Sequence, residues 1–382
     1  MCFLRFELSP DQEFFRETTD RFLTENAPMA ELRQLRDDAV GFRDDYWARG
    51  ADLGWTSLLV SEEHGGGTIG GHGLVDLTLV AHEFGRHAAP GPLTTTNVVA
   101  ATLGEVGTEA QTALLNDLLT GQSLASWCFA EPPPNSGLGA VALDVRHDGE
   151  EVVLNGVKRP VESGSRADHL LVTGRTGSGL TQVLVPRTTP GVSMTPMHTV
   201  DLTRRFSVVS FDDVRLPATA VVGEMGQADL QVERQLQRAI VIVNAEAVGA
   251  MQAAFDMTVE WAFDRYAFGR PLASYQALKH RFADMKSWLE ASHAINDEAA
   301  AAVALGSPDA AELVSAAKAF IGQFGGELLQ DCVQLHGGIG VTFEHDLHLL
   351  LRRHTVNRAL YGTPADHRQR ITDLIEQQEH VA

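Results

Sequence analysis

The sequence predicts an α+β chain in three parts: an N-terminal helical domain, a middle antiparallel β-barrel or sandwich, and a C-terminal four-helix-type bundle. Three observations carry that expectation. Apolar residues recur at helical spacing through the first 120 or so positions, alternate between tight turns in the middle third, and return to helical spacing almost to the end. At 382 residues the chain exceeds one ordinary domain, and the changes of texture place the parts at 1–122, 123–226 and 227–382.

Ser9-Pro10-Asp11-Gln12 opens the first helix, because serine caps and proline suits the first turn; Phe14, Phe15, Thr18 and Phe22 follow at helical spacing. Leu74, Leu77, Ala81 and Phe84 repeat that period, and Gly85 reads as the C-terminal cap. In the middle part Val141, Leu143 and Val145 alternate, Asp148-Gly149 turns, Val152 and Leu154 alternate, and Asn155-Gly156 turns again. Strands are predicted also at Leu170–Val172, Val183–Val185 and Val208–Phe211. Beyond Gly226 three stripes run through Val248, Met251 and Phe255, then Phe282, Met285 and Leu289, then Leu313, Ala317 and Phe320. Such stripes are core faces of an antiparallel bundle.

Fifty acidic against thirty basic residues give a formal charge of −20, which repels phosphate backbones and argues against nucleic-acid binding. No uncharged apolar run reaches the roughly 18 residues that a membrane span requires, and no signal peptide is legible at the start. Cys2, Cys128 and Cys332 form no paired motif and suit a reducing cytoplasm. Gly65-Gly66-Gly67-Thr68-Ile69-Gly70 satisfies G-x-G-x-x-G on paper, but it lacks a preceding strand and a parallel βαβ unit, so it reads as a turn. His345 and His348 share a spacing of three without the further convergent ligands that zinc needs, and no metal site is expected.

Several segments, in order, carry more. They are Leu53-Gly54-Trp55, Glu62-Glu63-His64-Gly65-Gly66, Glu83-Phe84-Gly85-Arg86, Glu131-Pro132, Leu154-Asn155-Gly156-Val157-Lys158 and Phe211-Asp212-Asp213-Val214-Arg215-Leu216-Pro217. Arg265-Tyr266-Ala267-Phe268-Gly269-Arg270-Pro271, Tyr275-Gln276 and Gln334-Leu335-His336-Gly337-Gly338 complete the set. Their joint order and spacing resemble the acyl-CoA dehydrogenase family over essentially the whole chain.

The resemblance implies an FAD-dependent oxidoreductase that acts on the CH–CH group of an acyl-CoA thioester, as a dimer or tetramer with FAD between subunits. It assigns Arg265, Phe268 and Gln276 to the diphosphate and adenosine half of a neighbour's FAD, with Gln334, Gly337 and Gly338 as the backbone cradle. A guanidinium suits that ligand because its donors form paired, charge-assisted bonds. On the flavin-ring side it assigns Ser136, left from a G-S-D motif, and Thr363.

The ring side also departs from the family pattern. Ala130 stands where a hydroxyl residue precedes Glu-Pro, and Pro160, Val161 and Glu162 stand where Trp-Ile-Thr is common. Family members use a glutamate to take the α-proton while the β-hydride passes to the flavin. Here Tyr361 occupies that position, and a phenol with an ordinary pKa of about 10 is a poor base at neutral pH. The alternative base position on the first long C-terminal helix is Ala239; Glu246, seven residues on, is the fallback base.

Three readings follow. In the first, this is the base-lacking subunit of a heteromeric acyl-CoA dehydrogenase, paired with a second family member. In the second, it is a flavin-dependent monooxygenase or oxidase on the same fold. In the third, it is a non-catalytic partner subunit that holds no flavin.

Overall fold

The computed structural model describes residues 8–38, 40–132 and 140–381. The first helix, α1 (Pro10–Asn26), starts as expected: Ser9 Oγ accepts from the backbone of Gln12, whose side chain accepts from the backbone of Ser9. The helical N-terminal part continues with the short α2 (Met29–Leu32), α3 (Asp44–Asp52), α4 (Gly73–Arg86), α5 (Leu93–Val106) and the short turns α6 (Glu109–Thr112) and α7 (Leu115–Leu119). Among the described residues no strand precedes the glycine-rich stretch, and Asp76 accepts from the backbone of Ile69 and Gly70, which anchors it as a loop.

Gly85 does not end its helix. Helix α4 runs on to Arg86, and a Cβ on Gly85 would lie 1.9 Å from the carbonyl oxygen of Glu246 on α8 (Asp229–Asp264). Gly249 on α8 makes the reciprocal approach, with its Cβ position 1.9 Å from the carbonyl of His82. The two glycines let the backbones of α4 and α8 touch, which joins the N-terminal part to the C-terminal one. The residue is there for closeness, which a one-dimensional reading takes for a cap.

The middle part is one eight-stranded sheet. Its strands are β1 (Ala125–Cys128), β2 (Asp144–Asp148), β3 (Glu151–Glu162), β4 (His169–Arg175), β5 (Leu180–Pro186), β6 (Val192–Met197), β7 (Phe206–Pro217) and β8 (Val221–Val222). The order is β6-β7-β3-β2-β4-β5-β8, largely antiparallel, with β1 added parallel to β4. That parallel pair, like the one-residue parallel bridge of β2 to β4, departs from the antiparallel expectation. Its entry is fixed by Asp168, which accepts from Ser123 Oγ and the Leu124 amide at 3.0 Å each. Inside the sheet Lys158 is wholly buried; its ammonium donates to Glu131 at 2.6 Å and to the Phe129 carbonyl. Glu131 also accepts from the amides of Ala142 and Leu143, so its buried charge is fully answered.

The C-terminal part comprises α8, α9 (Gln276–Ala304), α10 (Ala310–His336), α11 (Leu347–Ala359) and α12 (Pro364–Val381), with a small hairpin of β9 (Tyr266–Ala267) and β10 (Arg270–Pro271) after α8. Helix α8 is long and apolar enough to cross a bilayer, the one such helix among the described residues, which the search for uncharged runs did not single out. It is instead a core helix: Ala239–Ala245 and Ala247–Met251 are buried in the bundle.

Candidate functional site

The C-terminus of α8, the N-terminus of α9 and the C-terminus of α10 lie at one end of the bundle. Arg265, Gln276, Gln334, Gly337 and Gly338 are all exposed there. Phe268 is 99% exposed with a φ of 51°, at the tip of the hairpin. Gly337 takes a φ of 65° to turn the chain out of α10, and nothing stands within 4 Å of a Cβ on it or on Gly338. The Arg265 guanidinium lies over Trp261, whose ring stacks on His336 at 5.4 Å, so the two motif segments are physically joined. Arg265, Arg270 and Lys279 pair with no carboxylate among the described residues. In a chain of charge −20 this end therefore presents positive charge, with the first amides of α9 beside it.

The other half of the candidate site is built differently. Glu162, at the end of β3, accepts from Arg204 Nε at 2.6 Å. Arg204 Nη1 also donates to Asn357 Oδ1 at 2.6 Å and to Glu246 Oε2 at 3.2 Å. Asn357 Nδ2 donates to the same Glu246 oxygen at 3.1 Å, and Arg353 approaches it to 3.8 Å. Arg353 in turn pairs with Asp201 at 2.7 Å and donates to the carbonyls of Ala88 and Ala89. Every one of these side chains is buried, and they come from the sheet, the β6–β7 connection, α8, α11 and the α4–α5 connection. The network is a three-part junction made of charge.

Glu246 thus sits within a cluster of guanidiniums, where its carboxylate is an acceptor and a structural partner. Burial drives Glu162 above its ordinary value against the pull of Arg204, and the charge of Glu246 adds to the rise. Burial opposes the charge of Arg204, but Glu162 and Glu246 hold it cationic. When pH falls, the proton is therefore taken by the carboxylate side of the pair. Lys318 on α10 lies behind this network, wholly buried, and donates to the Asn357 carbonyl at the end of α11.

Tyr361 follows α11 at a φ of 58° and is half-buried, its ring stacked on Trp127 at 5.8 Å. Trp127 stacks in turn on Phe129 at 4.8 Å. Burial and the charge of Glu162 push the Tyr361 phenol well above its usual value, away from service as a base. Thr363 caps α12: its amide and hydroxyl donate to Asp366 at 2.8 and 2.7 Å. Ser136 lies outside the described residues.

The donor set fits a dinucleotide at one half only. The open bundle end offers unpaired cations, a helix N-terminus and a glycine turn, which suit a diphosphate. Beside Glu162 the lining is a closed ion pair: Glu162 Oε2 and Arg204 Nη2 are sealed from solvent and lack hydrogen-bond partners.

Sequence reasoning missed Asp201, Arg204, Lys318, Arg353 and Asn357. One signal was available. Leu347, Leu350, Arg353, His354 and Asn357 share the buried face of α11, so polar residues stand where the helical period calls for apolar ones. His345 and His348 bind no common centre; His345 packs on His336 and His348 bonds the Phe343 carbonyl. Asp20, Glu83 and His87 do come close together, but His87 pairs with Asp20 at 2.8 Å and Glu83 with His82 and Arg86, so the group is a set of ion pairs.

Comparison with known proteins agrees with the fold. The acyl-CoA dehydrogenase N-terminal domain profile matches residues 9–122, and the C-terminal domain profile matches residues 228–375. Acyl-CoA dehydrogenase IpdE2 of Mycolicibacterium smegmatis is 28% identical over 367 residues, covering 95% of this chain and 98% of that one. The probable acyl-CoA dehydrogenase YngJ of Bacillus subtilis is 28% identical over 362 residues, covering 91% and 93%. Among solved structures, butyryl-CoA dehydrogenase from Megasphaera elsdenii superposes with a TM-score of 0.88 at 23% identity, covering 97% of this chain and all of that one. The Tcur3481-Tcur3483 steroid ACAD superposes with a TM-score of 0.86 at 26% identity, covering 97% and 98%. By its two matching domains and its fold, the chain belongs to the acyl-CoA dehydrogenase family.

Proposed function

We propose that this chain is the base-lacking subunit of a heteromeric, FAD-dependent acyl-CoA dehydrogenase. The observation that carries the reading is the asymmetry between the two halves of the site. The nucleotide half, with Arg265, Phe268, Gln276, Gln334, Gly337 and Gly338, is open. The ring half is filled by Glu162, Arg204 and Glu246, with Tyr361 in place of the base. FAD, where bound, supplies the acceptor for the β-hydride of an acyl-CoA thioester. This chain's part is to hold the diphosphate of an FAD whose ring lies in the companion subunit, through Arg265 and the amides of α9. The companion supplies the base. The paired naming of the Tcur3481-Tcur3483 steroid ACAD supports an assembly of unlike chains. Two free buried thiols, Cys128 and Cys332, support a reducing cytoplasm as its compartment.

The test is purification of the chain alone and together with a companion family member that keeps the glutamate. A stoichiometric flavin complement retained through purification, and acyl-CoA desaturation, are expected only for the combination, since this chain alone offers the diphosphate half. A full flavin complement with desaturation by this chain alone would overturn the proposal. Oxygen-dependent hydroxylation by the flavin-loaded chain would move the assignment to the monooxygenase reading.

A further inference from the structure

Trp261 and His336 stack with an interplanar angle of 18° between the last turns of α8 and α10. Their neighbours in sequence are the motif residues: Arg265 is one turn beyond Trp261, and Gly337 follows His336. The Arg265 amide donates to the Trp261 carbonyl at 2.8 Å, and the Arg265 guanidinium lies 5.9 Å from the Trp261 ring centre. On the other side, His336 Nδ1 donates to the Cys332 carbonyl at 2.8 Å, which fixes the ring plane and leaves Nε2 as an acceptor. His345 packs edge-on against the same ring at 4.6 Å.

The pair is costly as packing. Trp261 Nε1 and His336 Nε2 are both buried and neither has a hydrogen-bond partner, a loss that two leucines would avoid. A bundle with no further demand on this spot has no reason to keep it. A stiff, flat wedge does meet one demand, which is a fixed distance between Arg265 and the Gly337-Gly338 turn.

We propose that Trp261 and His336 are positioning residues for a nucleoside diphosphate, setting the span between the Arg265 guanidinium and the glycine turn. The inference rests on the nucleotide reading of the open half site. Neither ring needs to touch the ligand. A flexible side chain at 261 would leave Arg265 attached but free to swing, so the ligand would have to order it on binding.

ADP titrated calorimetrically into the full chain tests this, with thermal melting as a control for folding. Arg265→Ala is expected to weaken ADP binding tenfold or more. Trp261→Leu, which leaves a smaller apolar side chain without the flat ring, is expected to weaken it about fivefold to tenfold, and Trp261→Phe to stay within twofold. Wild-type affinity in Trp261→Leu, with Arg265→Ala impaired, would overturn the wedge and leave the nucleotide reading standing. Equal binding, or none, by wild type and Arg265→Ala would overturn both. If Trp261→Leu melts early, His336→Asn is the second variant: its side-chain amide takes the place of Nδ1 as donor to the Cys332 carbonyl while the ring is removed. Loss of ADP affinity by that variant at the wild-type melting temperature supports the proposal, and retention sinks it.

Discussion

Replacing Arg204 with methionine is the sharpest probe of the buried network. Methionine keeps the unbranched apolar stem but removes the guanidinium, leaving Glu162 without its 2.6 Å partner and Glu246 without a 3.2 Å one. Removing one member of a buried pair costs about 3–5 kcal/mol, because the orphaned carboxylate keeps its desolvation penalty and loses its compensation. In a chain of this length, unfolding with an entropy of about 0.8 kcal/mol/K, that lowers the melting temperature by roughly 4–6 °C. The deficit depends on pH with a definite sign. Glu162 already lies above its ordinary value of 4.5 through burial, and loss of the cation raises it further. The penalty is full above that raised pKa and fades as pH falls toward 4.5 and the side chain becomes neutral. Adding Glu162→Gln should recover part of the loss, with a coupling energy above about 2 kcal/mol in the double-mutant cycle. Thermal melts at pH 5 and pH 8 on the four proteins measure all of this. A single variant as stable as wild type at pH 8, or a cycle with no coupling, would refute the claim that charge holds this junction together.

Other outcomes follow from the same structure. Lys318 is held down to about 7 by burial, with the Arg204 charge adding to the effect, so below that pH the fold carries the whole cost of a buried ammonium, which lessens from pH 7 toward 10.5. Lys318→Met should therefore flatten the rise of stability with pH over that window; an unchanged slope by chemical denaturation would contradict it. Gly85→Ala forces a Cβ to 1.9 Å from the Glu246 carbonyl and should cost about 1–3 kcal/mol despite the better helix propensity, read as a lower denaturation midpoint. Tyr361→Phe keeps the stack on Trp127 and removes only the hydroxyl. The desaturation rate of the assembly should stay within about twofold, whereas loss of a true base costs roughly a hundredfold or more.

The fold was legible because both of its periods are strong: helical stripes and strand alternation are each set by side chains that must face one way. Capping at Ser9 was legible for the same local reason. The role of Gly85 was not, since close helix approach depends on a partner more than 150 positions away, and glycine looks alike in a cap and in a crossing. The parallel pairing of β1 with β4 has no turn to announce it. At the site, the nucleotide half was readable because its residues stand in short contiguous motifs. Arg204 was not, because its partners Glu162, Glu246 and Asn357 are spread over three distant segments and an arginine beside Arg205 in a connection reads as surface.

The junction has a consequence for how this chain can change. A carboxylate placed at 361 would enter a volume that already holds Glu162 and Glu246, whose charges already raise the Tyr361 pKa. Arg204 is already shared between two acids, and Arg353 beside it is paired with Asp201. A glutamate there would arrive protonated or would pry the junction apart, so a single codon cannot give this chain a base. If the chain is the base-lacking subunit proposed above, a base at 361 requires at least two coordinated substitutions, one of them at 162, and the first taken alone is unfavourable. On the proposed heteromeric reading, dependence on a second subunit is thus kept in place by the electrostatics of the interior.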